Sequence, residues 1–526
     1  MNSADQGVED GMEPPQGPQS YSQGSVLFNY IRAVTIAAGG YYLGYYLGIM
    51  NPLGTPLAKD VYNLKTKDEI DEFNGNVNFY FSAGTFISCF VAGILADAIG
   101  RIRLIMLTEI LSFFVAYLYT IQNLPTLYFN RVLSGTVSGL MSSSVPIALA
   151  EMFPPTITGF GGLFFYLCLS GFMLLGWFSP FICGSSQVSL VAHSNIILTW
   201  PAAFEFLRFC LLAYFFKFGK IESPGFFLNK LKFDDKEEDE ESDLTVSEEK
   251  DSLTQSYQTL SPENSLLGVG SGVEVAEKMR QWYATVYTEE DAERIIQDKI
   301  DKKKATQHEA KPTLSSMFSS RYRFRFLSVI LINVLQQLSG INFLVVFSTN
   351  LFNRISHNGE TMTLFIGAAN ISGGLLGLFT VERFGRRFNL MFGSLMQAVG
   401  FSLLVISSNY CIGFLSVIAV LSYMVGFGLG MGGTLSIFCA EIIPAVGNGI
   451  GNSARWITSS VVVYLGPELS TSLGPTAVLL FFIACNVFCI FFVNYSCVET
   501  KGLGRDEVEM IYLGGTTKSK LKIRNQ

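Results

Sequence analysis

The chain has 526 residues, of which 49% are hydrophobic, 13% aromatic and only 15% charged, and its mean hydropathy is +0.36. That balance marks a polytopic membrane protein, which the apolar runs below make all-α, and argues against a soluble enzyme. The formal net charge of −7 does not point to nucleic acid either, because 22 of the 43 acidic residues fall between Lys217 and Arg325 and so describe one loop.

Residues 1–26 are rich in Gln, Gly, Ser and Pro and lack an apolar signal-peptide core, which predicts a disordered cytosolic N-terminus. Six apolar runs follow, near 30–53, 77–96, 103–121, 126–150, 158–183 and 196–217, and compose a first six-helix half over 27–217. Residues 218–322 differ in kind: KFDDKEEDEESD and the Ser-rich run after it read as a solvated acidic loop. Within that loop Thr288 precedes Glu289, Glu290 and Asp291, and Lys302, Lys303 and Lys304 close the stretch, the pattern of a short capped helix. Six more apolar runs, near 325–351, 361–381, 388–407, 411–440, 450–470 and 474–496, form a second half over 323–497, and 498–526 is a cytosolic tail. His193, His308 and His357 are far apart with no cysteine or carboxylate at ligand spacing, so neither a metal, a cofactor nor an enzymatic centre is expected.

The seventh run carries QQLSGIN, Gln336 to Asn342. Two glutamines and an asparagine in hydrocarbon need partners in a protein interior or a wet cavity, which makes Gln336, Gln337 and Asn342 candidates for a binding site. Amides offer donors and acceptors without charge, which suits a neutral polyhydroxylated ligand. The alternative is that they tie neighbouring helices together.

An internal repeat supports two halves. Asp97-x-x-Gly100-Arg101 aligns with Glu382-x-x-Gly385-Arg386 at an offset of 285 residues, and Ala150-Glu151 to Pro154 aligns with Ala440-Glu441 to Pro444 at an offset of 290. Transporters built from such repeats hold their solute between the halves and alternate its access. Asp97, Arg101, Arg131, Glu151, Glu382, Arg386, Arg387 and Glu441 are expected to form a gating charge network on the cytosolic side, with ion pairs running across the halves. Solvated flanking charges are the plainer reading. Arg101, Arg103, Arg321, Arg323, Arg325, Arg383, Arg386, Arg387, Lys501 and Arg505 all fall on one side, which predicts that both termini and the middle loop face the cytosol; the plasma membrane is the expected location.

These motifs, with Arg131 before Gly135 and Gly139, Glu222-Ser223-Pro224 after span six and Glu499-Thr500-Lys501-Gly502 after span twelve, resemble the sugar porter family of the major facilitator superfamily from about Ala33 to Tyr512, excluding the acidic middle. The resemblance implies twelve transmembrane helices in two pseudo-repeats. It also implies that Gln336, Gln337, Asn342 and Asn370 bind sugar hydroxyls. Other positions depart from the family pattern: Trp177 stands at a fifth-span glutamine, Ser436 at a tenth-span tryptophan, Gly426 at a carboxylate and Val346-Phe347 at a tyrosine pair. Trp177, Ser436 and Tyr46 are the further pocket candidates. Tyr46 occupies the place of the acid that proton-driven members carry, and a tyrosine titrating near ~10 is a poor proton carrier at neutral pH. Facilitated diffusion of a hexose or similar sugar is therefore expected.

Thr158, Gly225, Val446 and Asn448 replace family latch residues, while Arg455 enters span eleven, where it faces a cavity or a partner or snorkels to the interface. The alternatives are a proton-coupled or non-hexose transporter (a polyol or another small organic solute), or a transporter-like nutrient sensor. Ser247, Ser261 before Pro262, and Tyr257 to Leu260 offer contacts for a kinase or sorting factor through the 218–322 loop. The remaining partners expected are the small solute and the lipid bilayer, and no nucleic acid.

Overall fold

Span two starts at a reciprocal cap: the Glu69 amide donates to Thr66 Oγ1 at 3.2 Å and the Thr66 amide donates to the Glu69 carboxylate at 3.0 Å. From there Lys67–Ile99 runs without interruption. In this computed structural model residues 26–121, 123–153, 155–183, 194–233, 260–262, 272–305, 314–345, 359–410, 412–503 and 505–513 are described. They form two compact units, Met1–Asn29 with Lys230–Glu309, and Tyr30–Asn229 with Ala310–Gln526.

The larger unit holds the spans. Nine helices among the described residues are long and apolar enough to cross a membrane: Lys67–Ile99, Leu124–Met152, Phe160–Phe178, Ile196–Phe215, Arg323–Val345, Leu364–Phe384, Arg386–Tyr410, Gly413–Ile442 and Pro475–Ser496. The other three expected spans are helical but less regular or less apolar. The first is divided into Val26–Ala37, Gly40–Gly48, Met50–Pro56 and a π-turn at Leu57–Val61, the third, Arg101–Leu118, carries Arg101, Arg103 and Glu109, and the eleventh, Ala445–Ser472, is rich in Ser, Asn and Gly. Each half has its own apolar core, Tyr45, Tyr46, Phe73 and Phe81 in the first and Phe326, Phe401, Tyr423 and Phe482 in the second. Outward-facing Phe379, Phe414, Tyr464 and Tyr495 are exposed, as a lipid-facing surface requires. The halves meet where span five packs on span eight and span two on span eleven. There the Ser453 hydroxyl donates to the Phe86 carbonyl at 3.1 Å, and Asn452 Nδ2 donates to Ser142 and Ser143 at 3.2 and 3.1 Å.

The repeat is visible in atomic detail. Gly100 and Gly385 break the chain between spans at φ +113° and +93°, a region that excludes a side chain. Beyond each, a carboxylate caps the next helix: Glu222 accepts from the Ile102 and Arg103 amides at 3.1 and 2.6 Å, and Glu499 from those of Arg386 and Arg387 at 2.9 and 3.0 Å. A negative charge at a helix N-terminus is favourable for both the free amides and the dipole. Burial nevertheless pushes the Glu222 carboxyl up from its ordinary value, against those amide bonds.

The charge network differs from expectation in its wiring. Arg101 pairs with Asp97 at 2.6 Å and Glu151 at 2.8 Å, while Arg386 pairs with Glu382 at 3.3 Å and Glu441 at 3.2 Å. Each of these pairs lies inside one half, because a span-three or span-nine arginine reaches only its own bundle. Ser223 and Thr500 complete the two sets by donating to Glu151 at 2.7 Å and Glu441 at 2.5 Å. Arg387 donates instead to the Asn494 side chain at 2.7 Å. Arg131 is not on that side at all. It lies twenty residues before Glu151 on one helix, about 30 Å away at 1.5 Å per residue, and donates to the carbonyls of Tyr46 at 2.9 Å and Val77 at 3.2 Å.

In the smaller unit Thr288 does cap the helix Glu289–Ala305, its hydroxyl accepting from the Asp291 amide at 3.4 Å. A second helix, Gly272–Val286, precedes it, and Met279, Trp282, Ile296 and Ile300 are buried. Leu231–Phe233 and Leu260–Pro262 pair as short antiparallel strands, with Ser261 opposite Lys232. Ser247, Tyr257 and Val346-Phe347 lie outside the described residues.

Candidate functional site in the central cavity

The seventh span is not one continuous helix at QQLSGIN. Arg323–Leu338 ends, Ser339 and Gly340 turn, and the chain is helical again from Ile341 to Val345. Gly340 has φ +94°, and a Cβ there would fall 2.8 Å from the Phe401 ring, so only glycine fits this turn. The amides converge on a cavity of about 170 Å³ between the halves, lined by Gln336, Gln337, Asn342, Asn370, Trp177 and Ser436 among others.

Their polar atoms divide into tied and free ends. Gln336 Nε2 donates to the Met431 carbonyl at 2.6 Å, within the π-turn Gly428–Gly432 of span ten. Such a turn departs from the regular helical bonding ladder and leaves carbonyls available to side chains. Asn342 Nδ2 donates to Gln337 Oε1 and to Ser459 Oγ, both at 2.7 Å. The Tyr166 hydroxyl donates to Asn370 Oδ1 at 2.5 Å. Gln337 Nε2, Asn342 Oδ1 and Asn370 Nδ2 then remain without a protein partner among the described residues. Gln336 is therefore mostly interhelical glue, whereas the other three amides each keep one end for a ligand. Trp177 and Trp456 also line the cavity, and their indole N–H groups are buried without an acceptor among the described residues.

Two expected pocket positions fall elsewhere. Leu43 and Leu47 line the cavity, whereas Tyr46, on another face of the same helix, donates its hydroxyl to the Leu198 carbonyl at 3.1 Å and stacks on Tyr119. Gly426 packs against Gly393 of span nine, and Phe427 takes the cavity-facing place beside it.

Two charged features go beyond the expected site, and the first settles between the alternatives that span eleven left for Arg455. Arg455 lines the cavity, donating from Nη1 to Gln336 Oε1 at 3.4 Å and from Nη2 to Asn452 Oδ1. A guanidinium at the membrane centre costs ~2.5–3.5 kcal/mol on insertion scales, and both of these partners are neutral. Away from the cavity, Arg208 pairs with Glu109 and donates to the Thr35 and Ile36 carbonyls at 3.0 Å each, while Glu205 accepts from Ser112 at 2.6 Å. The signal for this second cluster was present as charges inside spans three and six. Among the described residues no group of His, Cys, Asp and Glu could hold a metal.

Residues 32–269 and 271–512 match the family model described as sugar (and other) transporter. The chain belongs to that family. It is a transporter, and its twelve helices in two six-helix repeats are the major facilitator fold. It is similar to the plastidic glucose transporter 4 of Arabidopsis thaliana, 26% identical over 91% of this chain and 79% of that one. To the mouse solute carrier family 2 facilitated glucose transporter member 3 it is 25% identical over 92% of each. The proton:xylose symporter XylE of E. coli, bound to 6-bromo-6-deoxy-D-glucose, shares the fold with a TM-score of 0.74 at 17% identity, over 92% of this chain and 99% of that one.

Proposed function

We propose that this transporter carries a polyhydroxylated, sugar-like solute through the cavity between its halves, by alternating access and down the solute's own gradient. The observation that carries this reading is the convergence of Gln337, Asn342 and Asn370 on one cavity with a free hydrogen-bonding end each. Sugar hydroxyls both donate and accept, so they satisfy such a mixed set. The two glucose transporters named above support the solute class.

Uncoupled transport is supported by Tyr46, whose hydroxyl is tied to Leu198 and lies off the cavity. At the side bearing most of the basic residues Gly93 of span two abuts the Ala445 backbone of span eleven. We read that side as cytosolic, with both termini on it, the membrane as the plasma membrane, and the 218–322 loop as a contact for a kinase or sorting factor. Protease protection in sealed vesicles tests the orientation.

The functional test is uptake of radiolabelled glucose, fructose and inositol by purified protein in proteoliposomes, with and without a protonophore. Uptake of at least one, unchanged by the protonophore, is expected. Collapse on protonophore addition would overturn the uncoupled mechanism, and absence of all uptake by folded protein would overturn transport of these solutes in favour of sensing.

A further inference from the structure

Arg455 sits ten residues into the helix Ala445–Ser472, about 15 Å along its axis from the first residue. It lines the same cavity as the free amides. No aspartate or glutamate lines that cavity, and no carboxylate pairs with Arg455 among the described residues. Arg101, Arg208, Arg325 and Arg386 each have an acidic partner, and Arg131, which has none among the described residues, lies off the cavity and is held by the Tyr46 and Val77 carbonyls. Arg455 has only the amide oxygens of Gln336 and Asn452, and its Nε–H is buried with no acceptor. Among the described residues no charge balances it.

Around Arg455 the indole N–H groups of Trp177 and Trp456 are buried donors without a partner among the described residues, and Gln337 Nε2 and Asn370 Nδ2 are further free donors, beside free Oδ1 acceptors on Asn342, Asn51 and Asn78. A hydroxyl can serve either kind of partner, but a carboxylate is purely an acceptor and matches the planar guanidinium edge with two parallel bonds. One cation with no second basic residue in the lining balances one negative charge, so a doubly charged phosphate ester fits worse than a carboxylate.

We propose that the cavity takes sugar acids alongside neutral sugars and prefers them, with Arg455 as the carboxylate-binding residue and the amides and indoles holding the hydroxyls. This rests on the reading of the cavity as the solute site. Gln336, held between Arg455 and the Met431 carbonyl, then acts as a positioning residue for the guanidinium.

The test uses purified full-length protein in proteoliposomes, with radiolabelled glucose and glucuronate at equal concentration, and a potassium–valinomycin potential. The wild type is expected to take up glucuronate at least fivefold faster than glucose and to slow glucuronate entry, but not glucose entry, when the interior is made negative. Unlabelled gluconate should compete with glucuronate, while lactate, which lacks the hydroxyl array, and glucose 6-phosphate, which carries excess charge, should compete at least tenfold more weakly. Arg455→Gln is expected to lower the glucuronate-to-glucose ratio at least tenfold, and Arg455→Lys to retain part of the preference by keeping the charge. Wild-type glucose uptake with no transport of glucuronate and no competition by it would overturn the sugar-acid proposal and leave sugar transport standing. Absence of uptake of either solute would overturn both. Because the wild-type comparison needs no variant, misfolding of Arg455→Gln cannot shelter the proposal.

Discussion

Replacing Gln337 with alanine removes two interactions at once: the 2.7 Å bond in which its Oε1 fixes Asn342, and the free Nε2 that faces the solute. Each neutral hydrogen bond is worth about 1 kcal/mol net. Their combined loss, ~2 kcal/mol, corresponds to roughly a 30-fold rise in KM for the transported solute. Asn342→Ala loses the same internal bond together with the 2.7 Å bond to Ser459 and its own free Oδ1. The Gln337–Asn342 bond is then counted in both single variants, so the double variant should cost about 1 kcal/mol less than their sum. The assay is initial-rate uptake into proteoliposomes across a range of solute concentrations, with folding checked by elution and thermal stability in detergent. A KM within twofold of wild type for folded Gln337→Ala would refute the assignment of this amide to the site. Strict additivity would refute the coupling of Gln337 to Asn342.

Three further outcomes are expected. Gly340→Ala should lower the unfolding temperature in detergent and depress transport, since a left-handed backbone costs ~1–2 kcal/mol for an alanine and the new Cβ presses on Phe401 for another ~1–3 kcal/mol; an unchanged melting curve would contradict the turn described here. Glu222→Ala should destabilise the first half by ~1.5–3 kcal/mol, because the Ile102 and Arg103 amides lose a charged acceptor, which thermal unfolding in detergent would register. Burial alone would raise the Glu509 carboxyl, but bonds from Arg321 and Arg325 outweigh it and hold it below its ordinary value of 4.5. A depressed acid stabilises the fold above its unfolded value and loses that contribution as pH falls through its folded value. Hydrogen exchange in Arg505–Tyr512 should therefore speed up between pH 5 and pH 3 relative to the rest of the protein, and Glu509→Gln should show the fast exchange at every pH.

Much of this could be read from residues alone. Apolar runs gave the span number and most span positions, since bilayer thickness imposes a minimum length on any apolar helix. Polar residues placed in the seventh run pointed to Gln336, Gln337 and Asn342, because hydrocarbon penalises an amide that lacks a partner, and the family resemblance added Asn370. The Gly100–Arg101 and Gly385–Arg386 echoes found the two halves, and both glycines adopt the positive φ that the motif requires. The reading went wrong wherever it needed to know which way a helix face turned. Tyr46 and Leu47 are neighbours in sequence, yet the first is sealed inside its own half while the second lines the cavity. Gly426 and Phe427 divide in the same manner. Arg131 and Glu151 open and close the 126–150 run, and the unbroken helix Leu124–Met152 keeps them at opposite ends.

The sequence by itself determined that this protein is a membrane transporter of two repeated halves with an amide-bearing seventh span, because hydrophobic length, repeat offset and polar exceptions are properties of the linear chain. The tertiary structure decided which polar ends remain free. Gln336 is consumed by a carbonyl at the π-turn in span ten, Gln337 and Asn370 keep a donor each, and Arg455 stands in the cavity without a carboxylate. That division depends on which neighbouring helix supplies a partner at hydrogen-bond distance, and no spacing along one span contains that information.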